Sequence, residues 1–89
     1  MDARARVAWN IRRLRVERQV SQEAFAVDAG IDRTYVSRLE RGMENPTVAV
    51  LEGIAVALGV EIEALFARSK PGEQTPAPLP SGRKKRKLS

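Results

Sequence analysis

Apolar side chains recur along residues 7–66 at the three- and four-residue spacing of amphipathic helices. Val7, Ile11 and Leu14 make one narrow apolar stripe edged by arginines, which predicts a first helix over residues 3–18. A longer stripe runs through residues 48–58 and predicts a buried helix there. No segment alternates apolar and polar residues with the period of a strand. The pattern therefore predicts an all-α fold.

Two short helices are predicted between these stripes from the residues that start and stop them. Ser21 and Asp32 are good N-caps, because their side chains can accept hydrogen bonds from the unpaired N–H groups of a first turn. Gly30 and Gly42 suit the left-handed residue that follows a helix. We expect helices over residues 22–29 and 33–41, joined by a corner of about three residues, as in a helix-turn-helix.

The next boundaries define a fourth and a fifth helix. Pro46 prevents the third helix from continuing, and Thr47 can cap the fourth, which Gly59 ends. Beyond it, Leu65 and Phe66 indicate a short fifth helix. We expect a compact domain of five helices within residues 1–68.

The composition changes after residue 68. Residues 69–82 contain four of the five prolines and almost no side chain that could be buried, and residues 83–87 are the basic run RKKRK. We therefore expect residues 69–89 to be a disordered tail. The basic run could be a solvated tail or an arm that binds phosphates without sequence preference, and a targeting signal is a third alternative.

The chain contains neither cysteine nor histidine. This excludes a disulfide framework, a zinc site built from thiolates or imidazoles, and a histidine base. No pair of carboxylates falls in a pattern that suggests an active-site cleft. An 89-residue chain also has no room for a separate ligand-binding domain. The sequence predicts a protein that is not an enzyme and that uses no metal or cofactor.

Charge is distributed unevenly along the chain. The net charge of +5 equals the five basic residues at 83–87, because residues 1–82 hold 11 basic and 11 acidic side chains. Within that neutral part, residues 1–41 carry 9 basic and 6 acidic groups, and residues 42–82 carry 2 and 5. Such a distribution is expected of a protein that presents a basic face to an anionic partner.

Neither a membrane span nor a secretory signal is predicted. The longest apolar-rich stretch, residues 48–62, is interrupted by Glu52 and Glu61 and is too short to cross a bilayer. The first ten residues lack an apolar segment followed by a small-residue cleavage site. Together with the absence of cysteine, these features favour the cytoplasm.

The third helix has more polar side chains than a core helix needs. If Val36 and Leu39 face the core, steps of about 100° per residue place several hydrogen-bonding side chains on the opposite side. Arginine can bond guanine with two donors, and serine or threonine can bond a base or contact the thymine methyl group. The alternative is an ordinary solvated helix face. The candidates for base contact are Arg33, Thr34, Ser37 and Arg38.

The stretch SQEAFAVDAGIDRTYVSRLERGMENPTVAVLEGIAVALGVEIEALF, preceded by IRRLR, resembles the lambda repressor and Cro family, often called XRE-like. The corner glycine, the small Ala26, the ERG ending of the third helix, the NPT loop and the LGV turn all fall in register. The resemblance covers nearly all of residues 7–66 and implies a helix-turn-helix at residues 22–41, whose second helix enters the major groove of DNA. Glu61 departs from the family pattern, in which a Ser or Asp cap is commoner.

The resemblance also implies roles for residues outside the candidate base contacts. In the family that the sequence resembles, an arginine and a glutamate at the positions of Arg15 and Glu40 pair across the first and third helices. The resemblance therefore implies a partly buried ion pair here. The fifth helix, with Leu65 and Phe66, is the usual dimer contact. Tyr35 flanks the exposed face and could place its hydroxyl group against a phosphate. The other phosphate contacts implied are Gln22, Arg41, Met43 and Asn45.

The predicted function is that of a sequence-specific transcriptional regulator that binds a short palindromic operator on double-stranded DNA as a homodimer. It would be similar to a phage repressor or a restriction-modification controller. The alternative is an antitoxin-type module, which neutralises a protein partner and binds DNA only to regulate its own synthesis. A tail that folds on a toxin would favour that alternative, but residues 70–82 offer few apolar anchors.

Overall fold

The computed structural model describes residues 2–68. These residues form four α-helices and one short 3-10 helix, and no strand occurs among them. The prediction of an all-helical fold is confirmed for this part of the chain, whereas the predicted tail at residues 69–89 lies outside it. The helices α1, α2, α3 and α4 span Ala3–Glu17, Gln22–Ala29, Arg33–Glu40 and Val48–Leu58.

Each α-helix begins at a side chain that accepts a hydrogen bond from its first turn. Such caps contribute about 1 kcal/mol each, because they satisfy a donor that the helix leaves unpaired. The sequence predicts three of the four caps and misses the one at the start of α1. The capping residues are Asp2, Ser21, Asp32 and Thr47, with donor to acceptor distances of 2.8, 3.0, 2.8 and 3.1 Å.

Each of the four α-helices is followed, one or two residues after its last residue, by a residue in a left-handed conformation. Gly30 has this conformation in the corner between α2 and α3, with φ at +71°. Gln19 has it after α1, with φ at +56°, while Val20 N–H donates to the Arg15 carbonyl oxygen at 3.2 Å. A residue with a Cβ atom is disfavoured there by roughly 1–2 kcal/mol. Gln19 is therefore a costly choice at the end of α1.

The segment predicted as a short fifth helix is helical but not α-helical, so the domain has four α-helices rather than five within the described residues. Ile62–Phe66 is a 3-10 helix of five residues, and Glu61 at its start makes no side-chain cap. Asn10 of α1 fixes this segment, since its buried Nδ2 donates to the carbonyl oxygens of Leu65 at 3.0 Å and Ala67 at 2.7 Å. One amide group thus anchors the C-terminal end of the 3-10 helix, whose start has no side-chain cap.

The core receives side chains from all five helical segments, and its largest apolar members are almost completely buried. Burying a side chain of this size contributes about 1.5–3 kcal/mol. The short helix α3 contributes two of them and therefore leaves the rest of its surface outward. None of the helices in the described residues is long and apolar enough to cross a bilayer. The buried members are Ile11, Phe25, Val36, Leu39, Ile54 and Leu65.

Candidate nucleic-acid interface

A buried ion pair connects α1 to α3. Arg15 Nε donates to Glu40 Oε2 at 2.6 Å, and Arg15 Nη2 donates to Glu40 Oε1 at 2.9 Å. The two side chains are only 4% and 3% exposed, so the pair expected from the sequence is present and is more deeply buried than expected. Two parallel bonds of this kind restrict both distance and orientation, and they fix how α3 is rotated against α1.

Glu40 also holds the first residue of α2. Gln22 Nε2 donates to Glu40 Oε1 at 3.1 Å, and the Gln22 side chain is partly buried. One carboxylate therefore links the three helices that build the helix-turn-helix and its support. The Gln22 amide keeps one N–H and its carbonyl oxygen for another partner.

The outward side of α3 carries the candidate base contacts. Val36 and Leu39 are 0% and 2% exposed and anchor the opposite side of the helix. Arg33 and Thr34 are exposed, and Ser37 is partly buried. Within the described residues, the side chains of these three polar residues make no hydrogen bond. The structure thus brings them to one face and leaves their donors available.

The two remaining arginines of this face are engaged within the chain. Arg38 Nε donates to Glu44 Oε2 at 2.6 Å, and Arg41 Nε donates to the Ser37 carbonyl oxygen at 3.3 Å. Sequence reasoning missed Glu44, although its charge and its position just after a glycine-terminated helix are a signal that could have identified it. Glu44 belongs to the acidic half of the sequence and pairs with an arginine of the basic half.

Tyr35 lies at the edge of this face. Its ring is partly buried and packs against the core. Burial raises the pKa of its hydroxyl group above the ordinary value, and the negative charge of Glu44 raises this pKa further. Tyr35 thus supports α3 as well as flanking it. In the loop after α3, Met43 is 49% exposed and Asn45 is exposed.

The two residues predicted for the dimer contact differ in exposure. Leu65 is 0% exposed and belongs to the core of the single chain, while Phe66 beside it is 41% exposed. Only Phe66 therefore offers a side chain to a second copy without a change in the fold. Sequence reasoning missed Asn10, which sets the position of both residues through its bond to the Leu65 carbonyl oxygen.

Comparison with known proteins identifies the family. A helix-turn-helix family model matches residues 11–65. The chain is 42% identical over 76 residues to a protein of Sinorhizobium fredii named as an uncharacterized HTH-type transcriptional regulator, y4dJ, and the match covers 85% of this chain and 95% of that protein. It is 37% identical over 67 residues to the control protein C.MunI of a Mycoplasma species, covering 74% of this chain and 90% of that protein.

A solved structure adds a relative that was observed on DNA. The restriction-modification controller protein C.Esp1396I, solved as a tetramer in complex with its natural 35 base-pair operator, is 33% identical. The match covers 74% of this chain and 87% of that chain, with a TM-score of 0.69. The arrangement of α1 to α4 and the family match agree: the chain belongs to the helix-turn-helix family of transcriptional regulators.

Proposed function

We propose that the protein is a sequence-specific DNA-binding transcriptional regulator whose helix α3 enters the major groove. The observation that carries this proposal is the outward face of α3, which presents hydrogen-bonding side chains on a helix fixed by the buried pair of Arg15 and Glu40. A reading helix must be held rigidly, because base edges are distinguished by donor and acceptor positions. The residues proposed for base contact are Arg33, Thr34, Ser37 and Arg38.

A second set of residues would bind the phosphate backbone and set the register of α3 on the duplex. Such contacts contribute affinity that does not depend on sequence. Gln22 suits this role, because Glu40 holds its amide at the start of α2 and one N–H remains available. The other residues proposed for phosphate contact are Tyr35, Arg41, Met43 and Asn45.

The regulator is proposed to act as a homodimer on a palindromic operator. Two copies of α3 would enter successive major grooves about 34 Å apart. The relative C.Esp1396I on its operator supports an oligomeric mode of binding, and Phe66 is the exposed apolar residue at the end of this domain that we assign to the contact. Occupancy of the operator, in the cytoplasm, would block or recruit polymerase, and the proposal attributes no catalysis to the protein.

The antitoxin alternative depends on residues 69–89, which lie outside the described part of the chain. No observation on the described residues favours it, so it stays an unsupported prediction.

Selection of bound sequences from a random duplex pool tests the proposed function. The wild-type protein should enrich a palindromic consensus, and Arg33→Ala and Ser37→Ala should each relax the preference at particular positions, by about 1–3 kcal/mol per lost contact. Arg4→Ala, which removes the same charge from an exposed position at the start of α1, is the matched control and should keep the consensus. No enrichment by the wild-type protein would contradict the proposal.

A further inference from the structure

The loop after α3 folds back and places an acid beside a candidate base contact. Gly42, with φ at +73°, donates its N–H to the Leu39 carbonyl oxygen at 3.0 Å, and Met43 N–H donates to the Arg38 carbonyl oxygen at 2.9 Å. These two bonds form the reversal that commonly ends a helix at a glycine. The reversal brings Glu44 alongside the last turn of α3, where Glu44 Oε2 accepts from Arg38 Nε at 2.6 Å.

This contact restricts what the Arg38 guanidinium can do. Its Nε is occupied by Glu44, while Nη1 and Nη2 make no hydrogen bond within the described residues. Arginine carries its five N–H donors in one planar fork, so fixing Nε also fixes the plane of the two terminal nitrogens. Those nitrogens are the pair left to bond the N7 and O6 acceptors of a guanine.

Stability of the fold does not account for this pair. The Arg38 side chain is 42% exposed and the Glu44 side chain is 25% exposed, and ion pairs with this much exposure contribute little to folding. A carboxylate on a face that approaches phosphates also repels DNA of every sequence. Glu44 therefore lowers the general affinity for DNA, and its effect on Arg38 is the property that could offset this loss.

The surroundings of Glu44 indicate that its charge acts on more than one side chain of this face. Burial raises the pKa of Tyr35, and the negative charge of Glu44 raises it further, so this carboxylate acts on the tyrosine as well as on Arg38. Tyr35 lies on the same helix and packs against the core. Glu44 thus acts electrostatically on Tyr35 and holds Arg38 through a direct bond.

We propose that Glu44 is a positioning and specificity-determining residue: it orients the Arg38 guanidinium for one base pair and disfavours DNA that does not supply the matching acceptors. This inference rests on the proposed function. On the correct base pair, the Arg38 fork is already oriented and loses less side-chain freedom on binding. On a wrong base pair, the two terminal nitrogens of the held guanidinium meet no matching acceptors and the carboxylate's repulsion of phosphate is not offset, so discrimination is increased.

The test uses Glu44→Gln, which keeps the size of the side chain and removes its charge. Glu52→Gln, at an exposed position of α4, is the matched control for the loss of one negative charge. Affinities of the full chain are measured by fluorescence anisotropy for the selected site, for random-sequence duplex, and for sites with single base-pair changes. Arg38→Ala identifies the base pair that Arg38 reads, and Glu44→Gln/Arg38→Ala completes a double-mutant cycle.

Glu44→Gln should bind random duplex about three- to tenfold more tightly, since it removes a charge that repels phosphate. Its discrimination between the correct and the changed base pair should fall about five- to tenfold at the position read by Arg38 and at no other position. A loss of this size is part of the discrimination that one bidentate contact supplies. Glu52→Gln should change neither quantity as much, and the thermal midpoint of Glu44→Gln should stay within about 4 °C of wild type. Arg38→Ala should lower the affinity for the selected site by a smaller factor in the Glu44→Gln background than in wild type.

Three results would overturn the inference. Unchanged discrimination by Glu44→Gln at the base pair read by Arg38 would show that the carboxylate does not position the arginine. If Glu44→Gln bound every duplex more tightly by the same factor, Glu44 would be only a general repulsive charge. If Arg38→Ala discriminated among base pairs as well as wild type, Arg38 would not contact a base. In each case the wild-type protein still selects a site and the proposed function stands. A wild-type protein without sequence preference would overturn both.

Discussion

Replacing Glu40 by alanine is expected to leave the Arg15 guanidinium charged and unpaired inside the domain. The substitution removes the acceptors of bonds at 2.6 and 2.9 Å from Arg15 and of one at 3.1 Å from Gln22. The carbonyl oxygen of Val20, at 2.8 Å from Arg15 Nη1, is the only partner of this guanidinium that remains within the described residues. The damage therefore comes from a stranded charge as well as from lost contacts.

The magnitude follows from the burial of the pair. Removing one partner of a buried ion pair costs about 3–5 kcal/mol. A domain of this size has a free energy of unfolding of about 3–10 kcal/mol, at 0.05–0.15 kcal/mol per residue. Glu40→Ala should therefore remove at least about 30% of the free energy of unfolding, and the thermal midpoint should fall by at least about 12 °C. Affinity for DNA should fall with it, because α3 loses its connection to α1.

Urea and thermal denaturation, followed by the fluorescence of the single tryptophan, Trp9, measure this loss. Glu17→Ala is the matched control, since Glu17 pairs with Arg13 at 3.1 Å on the surface of α1 and is 56% exposed. Loss of that surface pair should cost at most about 1 kcal/mol. The double variant Arg15→Met/Glu40→Leu, which removes both charges, should recover most of the stability.

Two results would refute this reasoning. If Glu40→Ala destabilised the protein no more than Glu17→Ala, the buried pair would not restrain α3. If the double variant were as unstable as Glu40→Ala, the stranded charge would not be the cause of the loss.

Three further predictions concern side chains that position the candidate interface. Asn10→Ala should lower the free energy of unfolding, measured by urea denaturation, by about 2–3 kcal/mol, because it leaves two carbonyl oxygens without their donor. Asn45→Ala, at an exposed position, should lower it by almost nothing, and equal effects would contradict the role of Asn10 as an anchor. Gln19→Gly should raise the free energy of unfolding by about 0.5–1 kcal/mol and Gln19→Ala should not, because only glycine relieves the strain of a left-handed backbone at φ +56°. If glycine gave no increase in stability, the turn would not be strained. The pKa of Tyr35, the only tyrosine, should lie above 10.0 in absorbance titration of the phenolate and should fall partway towards that value in Glu44→Gln. Because the folded pKa is the higher one, this group's contribution to stability is present below the unfolded pKa of 10.0 and is lost as pH rises through the folded pKa. Tyr35→Phe should therefore remove the part of the alkaline loss of stability that comes from this group. An unchanged Tyr35 pKa in Glu44→Gln would contradict the proximity of the two groups.

Local signals predicted the helices well because local chemistry decides where they start and stop. Ser21, Asp32 and Thr47 cap the first turns as their side chains suggest. The apolar stripes face the core except at Val48, the first residue of α4, which is 68% exposed. The ion pair of Arg15 and Glu40 was available only through the family resemblance, since the two residues lie 25 positions apart. Nothing in the spacing of charges distinguishes that pair from others.

The features that the sequence did not predict depend on contacts between distant segments. The partners of Asn10 are backbone carbonyl oxygens 55 and 57 positions away, and such atoms leave no trace in the residue types. The short 3-10 helix is anchored by that same contact. Glu44 was missed for a different reason, because a carboxylate on a DNA-binding face contradicts the simple expectation of positive charge.

Helix α3 is proposed to read base edges in the major groove, and modified bases test this recognition most directly. Each guanine of the selected site is replaced in turn by 7-deazaguanine, which removes the N7 acceptor in the major groove and keeps base pairing. Affinities of wild type, Arg33→Ala and Arg38→Ala are then compared on each modified duplex. For at least one guanine, the replacement should weaken wild type by at least about fivefold and leave one of the two arginine variants unaffected. Equal affinity of wild type for every modified duplex, with tight binding retained, would contradict recognition through α3 in the major groove.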